Sequence, residues 1–151
     1  MAAFLRNYLR GSSCRIYMEN VKTQIQIAQN LRYYYPDIQI TCRAAANNAS
    51  DETENAYYKD RPKLIIEVLS PSTERRDRAE KFYHYQQLDS LEAYVLVAQD
   101  TRRIEIYRRN NNWAWELYTE ETTQVHLQSV ELELPLDVIY EDVVFTEHVM
   151  L

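Results

Sequence analysis

Apolar residues in this chain recur mostly at every second position, and in a few places at every third and fourth. A period of two belongs to strands, and one of about 3.6 to helices. Phe4, Leu5, Tyr8 and Leu9 follow the helical spacing, so residues 2–10 are expected as a short helix, stopped by Gly11. Cys14, Ile16 and Met18, then Val21, Thr23, Ile25 and Ile27, predict one or two strands over 13–28. Residues 33–41 read as the next strand, with Pro36 near its start, where no ladder donor is needed. Ile38 and Ile40 then face one side, and Asp37, Gln39 and Thr41 the other.

Residues 43–61 are polar and aperiodic, with Asn47, Asn48, Ser50, Asp51 and Glu52 marking a long loop. The run Leu64-Ile65-Ile66-Glu67-Val68-Leu69 is nearly continuous and β-branched, as in a central strand covered on both faces. Ser70-Pro71-Ser72-Thr73 turns it into a helix expected from Asp77 to Leu88, with Asp77 and Glu80 spaced as a capping box. Ala79, Phe82, Tyr83 and Gln86 share one helical stripe; Asp77, Lys81, Tyr85 and Leu88 share another. Strands at 92–98, 103–108 and 113–118, separated by polar turns, read as an antiparallel meander. The tail alternates at Val130, Leu132 and Leu134 and continues past Pro135 to Leu136, Val138 and Ile139.

At 151 residues the chain is expected to be one domain, residues 1–151, large enough to bury roughly two thirds of its unfolded surface. Its single glycine, Gly11, excludes glycine-rich phosphate loops of the GxGxxG or Walker type. The net charge of −6 weighs against a protein that coats nucleic acid through charge alone, while leaving room for acidic metal ligands. Cys14 and Cys42 are the only cysteines and no zinc spacing is present; a disulfide between them stays open. No apolar run approaches the ~18 residues of a membrane span, and the N-terminus does not read as a signal peptide, so a cytoplasmic location is expected.

The chemistry concentrates on three residues. Glu67 interrupts a buried strand, and an unpaired buried carboxylate is very costly, so it must be paired, neutralised or metal-bound. Asp37 lies on the polar side of another strand. Two carboxylates converging from adjacent strands would make an oxygen-rich site suited to Mg²⁺ or Mn²⁺. A nearby lysine, Lys81, could hold a water or steady a phosphate oxygen. Each has a structural counterpart reading: Glu67 paired with an arginine, Asp37 as a turn residue after Pro36, and Asp77–Lys81 as a surface i, i+4 pair. His84, His126 and His148 read as surface or packing residues, and Trp113 and Trp115 as two rings on one packed or edge face. Tyr33–Tyr35 read as strand packing, and Arg75, Arg76, Arg78, Arg102, Arg103, Arg108 and Arg109 as solvated faces.

Taken together, Tyr34-Tyr35-Pro36-Asp37, the stretch Leu64 to Thr73, then Asp77, Lys81 and Tyr85, then Glu92 to Val97, resemble the Uma-type restriction endonucleases of the PD-(D/E)XK nuclease superfamily. The resemblance runs from about Leu9 to about Arg108 and is most specific at Glu67-Val68-Leu69-Ser70-Pro71-Ser72-Thr73. It implies an α/β (α+β) restriction-endonuclease-like fold, a mixed sheet flanked by helices, and metal-dependent hydrolysis of phosphodiester bonds, with DNA as partner. Asp37 and Glu67 would be the Mg²⁺ (or Mn²⁺) ligands, and Lys81 the family's lysine relocated to the next helix, since Leu69 stands at its usual place.

Two departures bear on activity. Members carry an acidic segment ahead of the first helix, and here the helix begins at the start of the sequence; Glu19 is the candidate to stand in for the missing acid. Lys63 replaces an acid often found after the proline. Three readings therefore stand side by side: a metal-dependent endonuclease, a non-catalytic binding or assembly module keeping the nuclease fold, and a subunit completed by a partner. A homodimer through the strands after Arg103 is a further expectation.

Overall fold

The apolar run at Leu64–Val68 lies inside a six-stranded sheet, with a hydrogen-bonded neighbour on each side. The structure, a computed structural model, describes residues 1–43 and 57–145. Its elements in chain order begin with α1 (Ala2–Leu9), β1 (Cys14–Met18), β2 (Lys22–Ile27), β3 (Asn30–Tyr34), β4 (Ile38–Cys42), β5 (Tyr58–Lys59) and β6 (Leu64–Val68). They continue with α2 (Glu74–Arg78), α3 (Glu80–Tyr85), β7 (Ala93–Val97), β8 (Ile104–Arg108), β9 (Trp115–Tyr118), β10 (Gln124–Leu127), β11 (Leu132–Pro135) and α4 (Leu136–Ile139).

The large sheet runs β1-β4-β6-β7-β8-β9 and is mixed. Only β6 and β7 are parallel, joined by the α2–α3 crossover; the other neighbours are antiparallel. Strand β2 is the middle of a small sheet ordered β3-β2-β5, and β10 pairs with β11. This is the mixed, helix-flanked architecture expected. Among the described residues no helix is long and apolar enough to cross a membrane.

Alternation along β6 serves two cores. Leu64 and Ile66 pack with Leu5 and Leu9 of α1 and with Val125, Leu134 and Leu136 near the C-terminal end. Ile65 packs on the opposite face with Tyr85, Leu91, Tyr94 and Leu96. Each such buried side chain contributes roughly 1.5–3 kcal/mol relative to exposure, which is why the run is apolar on both faces. The second core is rich in rings: Phe82 lies 4.5 Å from Tyr107 and 5.2 Å from Tyr94, and Tyr85 lies 5.4 Å from Tyr94 and 5.5 Å from Tyr34. These tilted and edge-on contacts account for part of the heavy use of tyrosine.

Several expectations change. Residues 33–41 are not one strand: β3 ends at Tyr34, and β4 enters the large sheet at Ile38. Pro36, which has no N–H, falls in the break between two sheets. The polar side of β4 is buried, because the small sheet covers it: Gln39 accepts from Thr23 Oγ1 at 3.0 Å, and its amide donates to the Val21 carbonyl at 3.0 Å. The helix expected over 77–88 starts at Glu74 and breaks at Ala79, where ψ is −83°. The Asp77–Glu80 capping box does not form; Asp77 is inside α2, its side chain held by Lys81. The carbonyl of Asp77 accepts the Tyr94 hydroxyl at 2.9 Å, so a long-range bond holds it at the break.

Trp113 and Trp115 lie on the same side of the large sheet, the side that carries Tyr107, but in different settings. Trp113 has φ 58° and sits edge-on to Phe82, while Trp115 is exposed with its indole N–H on Glu105. Arg78, Arg108 and Arg109 are not on solvated faces: Arg78 pairs with buried Glu105, Arg108 with Glu116, and Arg109 donates to the carbonyls of Leu88 and Leu91. Cys14 and Cys42 stand directly opposite across β1 and β4 and are joined by a disulfide. Of the loop expected at 43–61, Tyr58–Lys59 forms β5; most of the rest, with Asn48 and Ser50, lies outside the described residues, as does His148.

Candidate active site

Glu67 projects from β6 on the face that carries Ile65, toward α3. Its side chain is 4 % exposed, and its partners come from one helix: the Tyr85 hydroxyl donates to Oε1 at 3.2 Å, and Lys81 Nζ stands 3.2 Å from the same oxygen. Lys81 and Tyr85 are four residues apart and so point the same way. The cation on Glu67 is thus a lysine, not the arginine of the structural reading. Lys81 Nζ also donates to Asp77 Oδ1 at 2.9 Å. Asp77 is 1 % exposed, so the Asp77–Lys81 pair is buried rather than a surface bridge.

Asp37 reaches the same place from the other side. It sits just before β4, whose first residue, Ile38, faces Ile66 in register, so Asp37 lies beside Glu67. Its Oδ2 accepts the Val68 backbone N–H at 2.6 Å, which fixes the carboxylate against the end of β6. Asp37, Glu67, Asp77 and Lys81 all line one cavity of about 530 Å³, together with Tyr35 and Glu19. The three residues singled out in the sequence are therefore brought together, and Glu19 lines the same space. His84 and His126 are not part of it: His84 shares a 2.6 Å hydrogen bond with Tyr34, and His126 lies beside Glu133.

Charge in this cavity is finely opposed. Burial pushes the Glu67 carboxyl up to about 7, against the pull of Lys81 and with added repulsion from Asp37 and Asp77. Burial would depress Lys81, but Glu67 and Asp77 outweigh it and hold its ammonium above the usual lysine range. Burial beside Glu67 raises Tyr85 well above its ordinary value, so it remains a hydrogen-bond donor.

The donor chemistry fits a hard divalent cation. Lys81 and Tyr85 engage Oε1 of Glu67, and Val68 engages Oδ2 of Asp37, so these donors leave a second oxygen on each carboxylate. Among the described residues no group of three or more His, Cys, Asp or Glu is arranged to hold a metal ion. Two carboxylates with water and phosphate oxygens completing the shell is a coordination that Mg²⁺ accepts and zinc does not favour.

Two participants were not identified as site residues in the sequence. Tyr85 shares a helical stripe with Lys81, and its i, i+4 spacing from that lysine is the signal in the sequence for its place in the site. Tyr35 was read as strand packing, but it is 56 % exposed and lines the cavity. A second cavity of about 480 Å³ lies at the far ends of β7 and β8, but its Arg108 and Arg109 are already bonded to protein groups.

Comparison with known proteins bears on the family and the fold. The profile of the Uma2 family, described as "Putative restriction endonuclease", matches residues 1–138. The uncharacterized protein slr1290 of Synechocystis is 33 % identical over 140 residues, covering 92 % of this chain and 70 % of that protein. The uncharacterized protein sll1609 of the same organism is 30 % identical over 110 residues, covering 73 % of this chain and 57 % of its own length. In three dimensions the chain superimposes on a crystal structure from Anabaena variabilis, described as a putative nuclease belonging to DUF820, with a TM-score of 0.71. That likeness covers 94 % of this chain and 76 % of the other at 17 % identity, and it concerns the fold. With the family profile spanning nearly its whole length, the chain belongs to the Uma2 family.

Proposed function

We propose that this protein is a metal-dependent endonuclease that hydrolyses phosphodiester bonds of DNA, with Asp37 and Glu67 as ligands of Mg²⁺ or Mn²⁺ and Lys81 as the third catalytic residue. The observation that carries this reading is the double ion pair of Lys81. Its ammonium lies between Glu67 and Asp77 inside the cavity that Asp37 also lines. A lysine between two buried acids beside a third carboxylate is an arrangement that a phosphate and a cation would complete.

Each residue then has a distinct task. Asp37, anchored by the Val68 N–H, presents one oxygen to the cation. Glu67 presents another, oriented by the Tyr85 hydroxyl. Asp77 holds Lys81 Nζ in place, so that the ammonium can donate to a non-bridging phosphate oxygen or to the attacking water. A bound divalent ion would polarise the phosphate and lower the pKa of that water.

The test is cleavage of supercoiled plasmid with Mg²⁺ or Mn²⁺ by wild type, Glu67→Gln and Lys81→Ala. Metal-dependent nicking that disappears in both variants supports the assignment. Nicking that survives in Glu67→Gln assigns the activity to another site. No nicking by any form shifts the reading to a binding module that keeps the fold.

A further inference from the structure

The small sheet has two faces with different fates. Thr23, Ile25 and Tyr34 turn inward and are buried. The opposite face carries Lys22, Gln24 and Gln26 on β2 and Leu31 and Tyr33 on β3, with Gln24 opposite Tyr33 and Gln26 opposite Leu31. Leu31 is 52 % exposed, Tyr33 42 % and Tyr35, next in the same alternation, 56 %. Large apolar groups gathered on one exposed face add little to the core and point to a ligand.

Their chemistry selects the kind of ligand. Lys22 Nζ lies 5.1 Å from the Tyr33 ring centre and 6.0 Å from that of Tyr35, a cation held among aromatic faces. Among the described residues Lys22 makes no ion pair with a carboxylate. Gln24 donates to the Tyr33 hydroxyl at 3.1 Å, and Tyr58 meets Tyr33 edge-on at 6.2 Å, so the Tyr33 ring is braced from two sides. Braced rings interleaved with an uncompensated cation suit flat bases on a charged backbone better than an apolar protein surface. Duplex bases keep their faces stacked on each other, so only unpaired bases can use such rings.

The face is also continuous with the candidate active site. Tyr35 lines the cavity of Asp37 and Glu67 and stands two residues from Asp37. We propose that Lys22, Tyr33 and Tyr35 form a stacking platform for unpaired bases, which delivers a single strand of nucleic acid to the Asp37–Glu67 cavity. This rests on the endonuclease reading for its destination, but the binding surface stands on its own residues.

The test is fluorescence anisotropy at fixed salt and in EDTA, where no hydrolysis occurs. A labelled oligothymidine and a labelled duplex of equal length are titrated with wild type, Tyr33→Ala/Tyr35→Ala, Tyr33→Phe/Tyr35→Phe and Lys22→Ala. The alanine pair should weaken single-strand binding about 5- to 150-fold, the span expected for one stacked base. Duplex binding should stay within about twofold, since phosphate contacts elsewhere govern it. The phenylalanine pair should restore binding, because the rings rather than the hydroxyls stack. Lys22→Ala should lower affinity and flatten its salt dependence. Undiminished single-strand binding by the alanine pair, equal losses on both probes, or no single-strand binding by wild type would each overturn the platform. Tyrosine-dependent binding without plasmid nicking would sustain the platform and end the endonuclease reading; nicking with unaltered single-strand binding in the alanine pair would do the reverse.

Discussion

The ammonium of Lys81 lies 3.2 Å from Oε1 of Glu67, although the two side chains come from elements separated by a turn and a broken helix. Among the described residues Glu67 has no other cationic partner, and Lys81 also neutralises Asp77. Replacing Lys81 by alanine leaves two buried acids facing each other. Nicking should fall roughly a hundred- to a thousandfold, the usual loss when one charge-stabilising donor is removed. Lys81→Arg keeps the charge but not the shape of the donor, and should recover only part of the rate. Plasmid nicking over time measures both, and wild-type rates in Lys81→Ala would remove Lys81 from the site.

The position of the Glu67 carboxyl at about 7 makes a statement about stability. In the unfolded chain it titrates near 4.5, so between 4.5 and 7 the folded protein holds a proton that the unfolded chain has released. Stability therefore falls as pH rises through this window, by up to about 3 kcal/mol once both states are ionised. Glu67→Gln carries no such charge. It should be more stable than wild type above pH 7 in EDTA, and the advantage should vanish below 4.5. Urea denaturation of both proteins across the window measures the difference; parallel curves would show that Glu67 is not burdened by its burial.

Much of this site was legible in the residue order, for physical reasons that differ by position. Glu67 stood out because a carboxylate inside a β-branched run has few ways to be tolerated. Asp37 and Lys81 did not stand out alone, since one also reads as a turn residue and the other as half of a surface pair; the resemblance made their grouping with Glu67 specific. The break at Ala79 was hidden because it is tied to a distant residue: the Tyr94 hydroxyl holds the Asp77 carbonyl from another strand. The burial of Gln39 and Thr41 was hidden for the same reason, since the small sheet that covers them is assembled from non-adjacent segments. Strand β10 and helix α4, four residues each, are too short for their periods to register.

A ligand bound only by the folded state stabilises it by mass action. If Asp37 and Glu67 hold the cation, millimolar Mg²⁺ or Mn²⁺ should raise the Tm of wild type above pH 7, where Glu67 is ionised. Asp37→Asn and Glu67→Gln should lose most of that rise, while Asp137→Asn, an exposed residue paired with Arg102, should keep it. Scanning fluorimetry with and without metal makes the comparison without any reference to cleavage. Equal shifts in all four proteins would place the metal elsewhere.

The disulfide between Cys14 and Cys42 spans 28 residues and ties β1 to β4, the strand that follows Asp37. A cross-link of that span restricts the unfolded chain by at most about 3.6 kcal/mol. Reduction, or Cys14→Ser with Cys42→Ser, should lower the urea midpoint in proportion, with the fold retained by the sheet pairing around it. Equal midpoints in oxidised and reduced protein would show that the bridge contributes nothing to stability.

Glu67, Leu96 and Glu105 stand side by side across β6, β7 and β8, and the crossover reaches both acids of that row: Lys81 of α3 meets Glu67, and Arg78 of α2 meets Glu105 at 2.5 Å. Arg78 does not line the cavity, but it follows Asp77, which holds the lysine, and stands just under one turn before Lys81. In the proposed endonuclease it is a positioning residue. Arg78→Ala should cost about 1–2 kcal/mol of stability, less than for a fully buried pair, because the arginine is 29 % exposed and Glu105 keeps Arg103 and the Trp115 indole. It should lower kcat for nicking several-fold with little change in KM, as Lys81 loses its fixed place without loss of substrate contacts. Arg78→Lys should restore part of both. A double-mutant cycle with Glu105→Gln separates pairing from bulk effects: additive losses would mean that the Arg78–Glu105 bridge does not hold the helix over the site.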